Sequence, residues 1–270
     1  YKAAVSEGSD IIVKVDSDAQ MDTKLIKPLI QPIIDGNADY VKGNRFFDIE
    51  SVSAMPITRL IGNAGLSFLS KLSTGYWHLF DPTNGFTAIH AEVARILPLQ
   101  KLHKRYFFES DMLFRLSTLR AAVTDVPMQS IYGDEESNLQ ELDALIKFPV
   151  LHARNFLKRL FYNYILRDFS TASLNLIAGI ALTTFGFLFG IFAWIESARL
   201  GVPATAGTVM LSALPLLVGI QMKLSFLSHD VSQSKRTPLH KSIGLLRGIV
   251  KDPDPADLIS EPKPKARESL

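Results

Sequence analysis

The chain has 270 residues, of which 47% are hydrophobic and 21% are charged, so it is long enough for one α/β domain and an additional apolar part. Its formal net charge of +2 at pH 7 gives no indication of a nucleic-acid-binding protein. It contains no cysteine, which excludes disulfides and thiolate metal sites and is consistent with a reducing compartment.

An acidic motif follows the first predicted strand. The segment from Ile11 to Val15 is rich in β-branched residues, which is the composition of a buried parallel strand. Asp16 and Asp18 come where that strand meets solvent, and Gln20 follows closely. Open α/β sheets bind their ligands beyond the carboxyl ends of such strands. Carboxylate oxygens suit Mg²⁺ or Mn²⁺ with substrate phosphates as further ligands, so the motif predicts a nucleotide diphosphate site.

This acidic motif has two other interpretations. An acidic turn between a strand and a loop is common and needs no function. An EF-hand loop starting at Asp16 is excluded, because Met21 stands where glycine is needed and Lys27 stands where the bidentate glutamate belongs.

The following segments alternate between helical and strand patterns, which is typical of an α/β domain. The first helical pattern contains Pro28 and Pro32 and is expected to be short or broken. The predicted elements are a helix over 22–34, a strand over 39–43, a helix over 57–72, a loop and strand over 81–89, a helix over 113–119 and a strand over 122–126.

Two long segments, 169–195 and 200–222, carry no charged side chain. Each exceeds the roughly 20 apolar residues needed to cross about 30 Å of hydrocarbon. The sequence therefore predicts a transmembrane hairpin over 169–228, with helices at about 169–195 and 202–224. The alternative is a pair of buried helices in a soluble core. Small residues at a helix contact and an interfacial tryptophan favour the membrane, and these are Gly179, Gly186, Gly190 and Trp194.

Basic residues flank the predicted hairpin, whereas its loop carries only Glu196 and Arg199. This asymmetry predicts that both ends of the chain are cytoplasmic. Before the hairpin, apolar and basic residues alternate at helical spacing, which predicts an amphipathic juxtamembrane helix over 149–168. An amphipathic helix packed on its own domain is the alternative. The polar, proline-containing segment 229–270 is predicted to be a mobile cytoplasmic tail.

Several motifs, in order, resemble family 2 glycosyltransferases of the branch that makes dolichyl- or polyprenyl-phosphate sugars, similar to dolichol-phosphate mannosyltransferases. The resemblance covers roughly residues 1–230. The motifs lie at 13–22, 43–46, 81–86, 107–113, 126–128, 132–137, 163–169 and 207–211.

The resemblance implies a GT-A-type nucleotide-sugar transferase domain, with residues 1–148 as its C-terminal part. Members of the family have about two further βα units before the first strand, and these form much of the nucleotide pocket. The expectation is therefore that this sequence begins inside a longer protein, and no residue is assigned to the nucleotide base.

The resemblance also implies the reaction. A sugar would move with inversion from a UDP- or GDP-linked donor to undecaprenyl or dolichyl phosphate at the cell inner membrane, in a multi-pass protein with a cytoplasmic catalytic domain. Homo-oligomerisation is left open. The acceptor phosphate is anionic near neutral pH, since its second pKa is about 6, so a strong general base is optional. The site must instead supply a metal ion for the leaving diphosphate and cations for the acceptor.

The resemblance and the chemistry of the acceptor suggest roles in the active site for individual residues. The resemblance places Asp81, Glu109 and Asp111 around the sugar and the acceptor as catalytic residues, with helix capping or loop structure as the alternative. Arg45 and Arg59 are candidates for the acceptor phosphate, because a guanidinium fork suits phosphate oxygens. An active-site loop is expected at Tyr132, Asp134, Glu135 and Ser137.

Two other functions are retained as alternatives. The first is a processive polysaccharide synthase of the same superfamily, which is disfavoured because neither Trp77 nor Trp194 lies in a Gln-x-x-Arg-Trp segment. The second is a catalytically inactive membrane scaffold, which follows if the nucleotide-binding part is absent.

Overall fold

The computed structural model describes residues 1–16, 21–47, 57–104, 107–128, 141–233 and 236–243, and for residues 58, 59 and 141–146 it describes the backbone alone. The strands are β1 Ile11–Lys14, β2 Tyr40–Asn44, β3 Thr87–His90 and β4 Val123–Pro127. The helices are α1 Lys2–Ser6, α2 Ile26–Ile34, α3 Ile57–Thr74, α4 Ala91–Ile96, α5 Phe108–Leu119, α6 Glu141–Leu160, α7 Thr171–Leu200 and α8 Ala206–Ser232. Short 3₁₀ turns lie at Thr23–Leu25 and Leu99–Lys101, and a π-helical stretch, Phe161–Arg167, follows α6.

The strands form one mixed sheet in the order β1-β3-β2-β4. β3 runs antiparallel to both β1 and β2, whereas β2 and β4 are parallel. The expectation that the first strand is parallel is therefore wrong, because its sheet partner β3 runs in the opposite direction. A β-branched run fits many half-buried strand positions and does not encode the direction of its neighbour. Of the four β1 residues, only Ile12 is buried.

Helices cover both faces of this sheet. α2 packs on one face, where Leu29 and Ile33 contact Val41 and Ala88. The other face packs against α4 and α5 in a second apolar cluster. Neighbouring strand residues alternate between the two clusters, as the period of two in a strand requires. The second cluster includes Ile12, Tyr40, Ile89, Val93, Met112, Leu113 and Leu116.

Helix α5 begins five residues before the predicted helix at 113–119, so it contains the acidic motif in its first turn. Glu109 and Asp111 are therefore helical neighbours two positions apart. Two positions correspond to roughly 200° around a helix, so the two carboxylates point in different directions. The helix ends at Leu119, and the next residue, Arg120, has a φ of 63° in the left-handed region.

Helix α6 extends across the predicted boundary between residues 148 and 149, since it begins at Glu141. The buried side of its second half packs towards α3 and α5. Its other side and the following π-helical stretch expose large apolar side chains. These are Val150, Leu157, Phe161, Tyr162, Ile165 and Leu166.

Helices α7 and α8 have 30 and 27 residues and are apolar enough to cross a membrane. They pack against each other through glycines, as the small-residue pattern predicts. A Cβ built on Gly186 would lie 2.7 Å from the carbonyl oxygen of Ser212. A Cβ on Gly219 would lie 2.9 Å from the carbonyl oxygen of Gly179. Only glycine allows the two backbones to approach this closely.

A buried ion pair joins α8 to the α/β domain. The carboxylate of Asp230 accepts hydrogen bonds from Arg159 Nη1 at 2.6 Å and Nη2 at 3.0 Å. The Tyr164 hydroxyl donates to the same carboxylate at 2.5 Å and Trp77 Nε1 donates at 2.8 Å. Trp77, which received no role from the sequence, thus links the domain to α8.

The first part of the predicted mobile tail, from residue 229, is helical or packed against the domain. Helix α8 continues to Ser232, and part of the following chain lies against the domain. The backbone N–H groups of Leu239 and His240 donate to the carboxylate of Asp39 at 2.7 and 2.9 Å. The His240 ring stacks on His90 with 4.5 Å between centroids. The rest of the predicted tail, from residue 244, lies outside the described residues.

Candidate active site

The carboxylate of Asp16 lies at the carboxyl end of β1. Its Oδ1 accepts a hydrogen bond from Lys14 Nζ at 2.7 Å, and its side chain is 41% exposed. The other oxygen sits against Gly85, where an added Cβ would lie 2.0 Å from Asp16 Oδ2. Gly85 therefore makes room for this carboxylate.

The described residues supply one of the three predicted metal ligands, because Asp18 and Gln20 lie outside them. Within the described ranges, no group of three or more His, Asp or Glu side chains is arranged to hold a metal ion. Asp16 is an exposed hard oxygen donor at a strand end, and this chemistry fits a divalent cation such as Mg²⁺ or Mn²⁺.

Glu109 lies between two lysines. Its Oε1 is 3.1 Å from Lys14 Nζ, and its Oε2 is 3.2 Å from Lys42 Nζ. Lys42 is fully buried, and its Nζ also donates to the carbonyl oxygen of Asn84 at 2.6 Å. Charges of opposite sign thus alternate from Asp16 through Lys14 and Glu109 to Lys42. We call these four residues the strand-end cluster.

Electrostatics keep Lys14 charged. Partial burial lowers the pKa of its ammonium, but the carboxylates of Glu109 and Asp16 outweigh burial, and the net pKa is raised. Burial, and then the charge of Glu109, raise the pKa of Tyr40, so its hydroxyl stays a neutral donor. That hydroxyl lies 3.4 Å from Glu109 Oε2.

Arg45 and Asp81 form a bidentate pair. Arg45 Nε donates to Asp81 Oδ2 at 2.7 Å, and Nη2 donates to Oδ1 at 3.1 Å. The Asp81 carboxylate is fully buried, whereas the Arg45 side chain is 32% exposed. The geometry therefore makes Asp81 the group that orients the Arg45 guanidinium just beyond the end of β2.

Asp111 has a different set of neighbours from Glu109. Its Oδ2 accepts from the backbone N–H of His103 at 2.9 Å and from Arg115 Nε at 3.1 Å. Its Oδ1 lies 3.4 Å from Asn155 Nδ2. These contacts tie α5 to the 3₁₀ turn region and to α6. They do not include the strand-end cluster, and the catalytic role of Asp111 stays a prediction.

Several predicted site residues cannot be placed. Arg59 lies in α3, but its side chain is outside the described part of the chain. The predicted active-site loop and two predicted metal ligands lie entirely outside the described residues. These residues are Asp18, Gln20, Tyr132, Asp134, Glu135 and Ser137.

Lys14 and Lys42 are not among the site residues predicted from the sequence. The signal was present, since each lysine interrupts an apolar stretch within a predicted strand. A lysine is almost never fully buried without a partner, so an interior strand lysine indicates a nearby carboxylate. The identity of that carboxylate, Glu109, is not readable from the strands alone.

Comparisons with known proteins give relatives over part of the chain. No protein-family model matches. The chain is 32% identical over 157 residues to the UDP-N-acetylglucosamine--dolichyl-phosphate N-acetylglucosaminyltransferase of Methanococcus voltae, covering 58% of this chain and 62% of that protein. It is 26% identical over 129 residues to the undecaprenyl-phosphate mannosyltransferase of Micrococcus luteus, covering 47% of this chain and 52% of that protein. The matches thus span about half to three fifths of these relatives.

A solved structure is similar at a lower level. The glucosyl-3-phosphoglycerate synthase of Mycobacterium tuberculosis, in complex with Mn²⁺, UDP-glucose and glycerol 3-phosphate, has 21% sequence identity and a TM-score of 0.37. The match covers 58% of this chain and 52% of that chain. A score this low does not establish a common fold. The two curated relatives are named for different sugars, so they do not single out a mannosyltransferase.

Proposed function

We propose that this protein is a membrane-bound glycosyltransferase that moves a sugar from a UDP- or GDP-linked donor to a polyprenyl phosphate. The observation that carries the proposal is the strand-end cluster, which holds an exposed carboxylate at the carboxyl end of β1. Two relatives named as dolichyl-phosphate and undecaprenyl-phosphate sugar transferases support the substrate class.

On the donor side, Asp16 would hold Mg²⁺ or Mn²⁺ together with Asp18 and Gln20. When bound, such an ion neutralises charge on the departing diphosphate. Lys14 orients Asp16 through its 2.7 Å contact. Glu109 holds Lys14 in place, and the buried Lys42 holds Glu109. The cluster therefore keeps the carboxylate oriented before any substrate arrives.

On the acceptor side, the site needs positive charge more than it needs a base. The phosphate oxygen of a polyprenyl phosphate is already anionic near pH 7, because its second pKa is about 6. Arg45, oriented by Asp81, brings a permanent positive charge to the edge of the sheet. Arg59 is proposed as a second phosphate ligand. Attack of the phosphate oxygen on the anomeric carbon, with departure of the nucleoside diphosphate from the opposite face, would invert the configuration.

The acceptor lipid requires a membrane, and two features support one. Helices α7 and α8 are long enough to span, since 27 residues of helix extend about 40 Å. The apolar face of α6 and the π-helical stretch is exposed next to α7. We propose that this face lies in the cytoplasmic interface of the inner membrane, with the catalytic domain beneath it.

The test is transfer of label into lipid. Membranes that contain the full-length protein are incubated with radiolabelled UDP- and GDP-sugars, with polyprenyl phosphate and Mg²⁺ or Mn²⁺, and the organic-extractable label is counted. We expect one sugar to be transferred, and Asp16→Asn to reduce that transfer more than tenfold, as loss of an electrostatic group at a reaction centre does.

The matched control is Asp35→Asn, which changes an exposed aspartate at the end of α2 and should leave transfer unchanged. If no donor labels lipid, the protein is not the proposed transferase, and the scaffold alternative is favoured. Label that is insensitive to Asp16→Asn and to EDTA would overturn the metal assignment.

A further inference from the structure

A polar cavity lies away from the strand-end cluster. It has a volume of about 230 Å³ and is enclosed by the π-helical stretch, the start of α7 and the end of α8. Nothing in the proposed transfer reaction uses it. Its position at one end of both long apolar helices is where lipid headgroups lie if those helices span a membrane.

The cavity wall has a surplus of positive charge. It contains the guanidinium groups of Arg120, Arg159 and Arg236 and the carboxylates of Asp168 and Asp230. Arg159 pairs with Asp230, and Arg120 pairs with Asp168. Arg236 has no carboxylate partner among the described residues. Its Nη1 donates to the carbonyl oxygen of Ser117 at 3.0 Å, and its guanidinium lies over the Tyr76 ring.

Arg120 lies near other positive charges. The pKa of its guanidinium is lowered, first by burial and then by the positive charges of Arg167 and Arg236. An added anion would relieve this repulsion.

Two buried polar atoms of the cavity wall have no hydrogen-bond partner within the described part of the chain. They are Arg159 Nε, a donor, and Asn163 Oδ1, an acceptor. Both side chains are buried, with exposed fractions of 1% and 8%. Buried polar atoms normally find a partner, so an unpaired donor and an unpaired acceptor on residues four positions apart indicate a ligand that both accepts and donates. A phosphate oxygen accepts, and a headgroup hydroxyl donates.

We propose that this cavity binds the headgroup of an anionic membrane phospholipid that carries a hydroxyl, such as phosphatidylglycerol. The phosphate lies among the three arginines, and the hydroxyl meets Asn163. The acyl chains extend along the exposed apolar side chains Phe161, Leu166 and Phe169. The site shares with the proposed function only the membrane location and does not depend on sugar transfer.

The first test introduces a negative charge at the cavity while preserving its helix cap. Ser170 lies at the cavity and is the N-cap of α7, and aspartate caps a helix as well as serine does. The full chain is purified in a neutral detergent with equimolar phosphatidylglycerol and phosphatidylcholine, and bound lipid is counted by native mass spectrometry. We expect selective retention of phosphatidylglycerol, reduced at least about fivefold by Ser170→Asp, since one charge at an anionic surface is worth about that factor.

The matched control is Thr205→Asp. Thr205 is the N-cap of α8 at the far end of the hairpin, and its side chain accepts from the backbone N–H of Thr208 at 3.2 Å. This variant carries the same new charge and the same type of cap, so it should retain phosphatidylglycerol. Equal loss in both variants, or loss in neither, would overturn the site.

A second pair of variants removes charge. Arg120→Gln takes a guanidinium from the cavity, whereas Arg154→Gln takes one from an exposed position on α6. Only Arg120→Gln should lower retention, again about fivefold.

Titration with inorganic phosphate tests whether the cavity binds a lipid headgroup or free phosphate. Displacement of lipid by millimolar phosphate, or equal retention of both lipids, would overturn the assignment to an anionic lipid. The Asp16→Asn variant should lose sugar transfer but retain phosphatidylglycerol, so the two proposals can fail independently.

Discussion

At the scale of single residues, Gly85 controls the position of Asp16. The φ angle of Gly85 is not in the left-handed region, so the requirement for glycine comes from space and not from backbone conformation. A Cβ at this position would meet Asp16 Oδ2 at 2.0 Å and Lys14 Nζ at 3.0 Å. Both atoms are the ends of flexible side chains, which can move away at little cost to stability.

Gly85→Ala is therefore expected to separate activity from stability. The Asp16 carboxylate would be pushed away from its position beside Lys14, and transfer should fall more than tenfold because a displacement of about 1 Å at a reacting group has that effect. The thermal unfolding temperature should change little. The measurements are label transfer into lipid and a thermal melt on the same preparation.

Gly65→Ala is the control for that substitution. Gly65 lies in α3, and a Cβ there would meet nothing within 4 Å. It should keep full transfer. A Gly85→Ala protein with unchanged activity would show that the observed position of Asp16 is not required.

His152 is a buried histidine that should make the protein sensitive to acid. Its Nδ1 lies 2.8 Å from the Ser73 hydroxyl, and its ring packs against Phe107. Burial lowers the pKa of its imidazole to about 4. Between about pH 6.5 and pH 4 the unfolded chain therefore binds a proton at this residue that the folded protein does not bind, and stability falls as the pH falls.

The substitution His152→Asn should remove this sensitivity. Between pH 8 and pH 4.5 the wild type should lose roughly 2 to 3 kcal/mol more of its free energy of unfolding than His152→Asn loses. Thermal or denaturant unfolding across this range measures it. His103→Asn, at an exposed histidine, should keep the wild-type dependence. If the free energy of unfolding depended on pH in the same way in the wild type and in His152→Asn, the lowered pKa of His152 would be contradicted.

At the scale of elements, the junction between α6 and α8 depends on one buried ion pair. Arg159 comes from α6 and Asp230 from α8, and both are buried. Trp77 and Tyr164 donate further hydrogen bonds to the same carboxylate. The pair thereby fixes where the end of the second long helix meets the domain.

Breaking this pair should be costly. Asp230→Asn leaves the buried Arg159 guanidinium without a counter-charge, and we expect a loss of roughly 3 to 5 kcal/mol in the free energy of unfolding. Asp168→Asn is the matched control, since it breaks an Arg–Asp pair that is about half exposed and should cost about 1 kcal/mol or less. Thermal unfolding in detergent compares the two. Equal destabilisation would mean that the buried pair does not secure the junction.

At the scale of the whole molecule, the chain divides into a charged α/β part and two long apolar helices. The end of α7 and the loop to α8, residues 196–205, carry only two charged side chains, Glu196 and Arg199, whereas basic residues are frequent before α7 and after α8. This distribution predicts that the loop faces away from the cytoplasm and that the strand-end cluster faces the cytosolic nucleotide sugars.

The absence of cysteine allows a direct test of this orientation. Pro203→Cys places a single thiol in the loop, and Lys158→Cys places one on an exposed position of α6. A membrane-impermeant maleimide added to intact cells should label only the first variant, and both should react after the membrane is opened. The reverse pattern would put the proposed active site on the wrong side for its donor.

The sequence by itself determined many of the elements of this protein and the chemistry at their ends. Strands near Ile11–Lys14 and Tyr40–Asn44, the long apolar helices and their glycine contact follow from composition and periodicity, which depend on residues close together in the chain. The position of Asp16 at a strand end follows in the same way.

The tertiary structure decided which distant residues meet. It placed β1 antiparallel to β3, paired Lys42 with Glu109 across 67 positions and joined Arg159 to Asp230 across 71 positions. A buried lysine or arginine needs a carboxylate because desolvation of an unpaired charge is expensive, but local sequence does not say which carboxylate the path of the chain will bring.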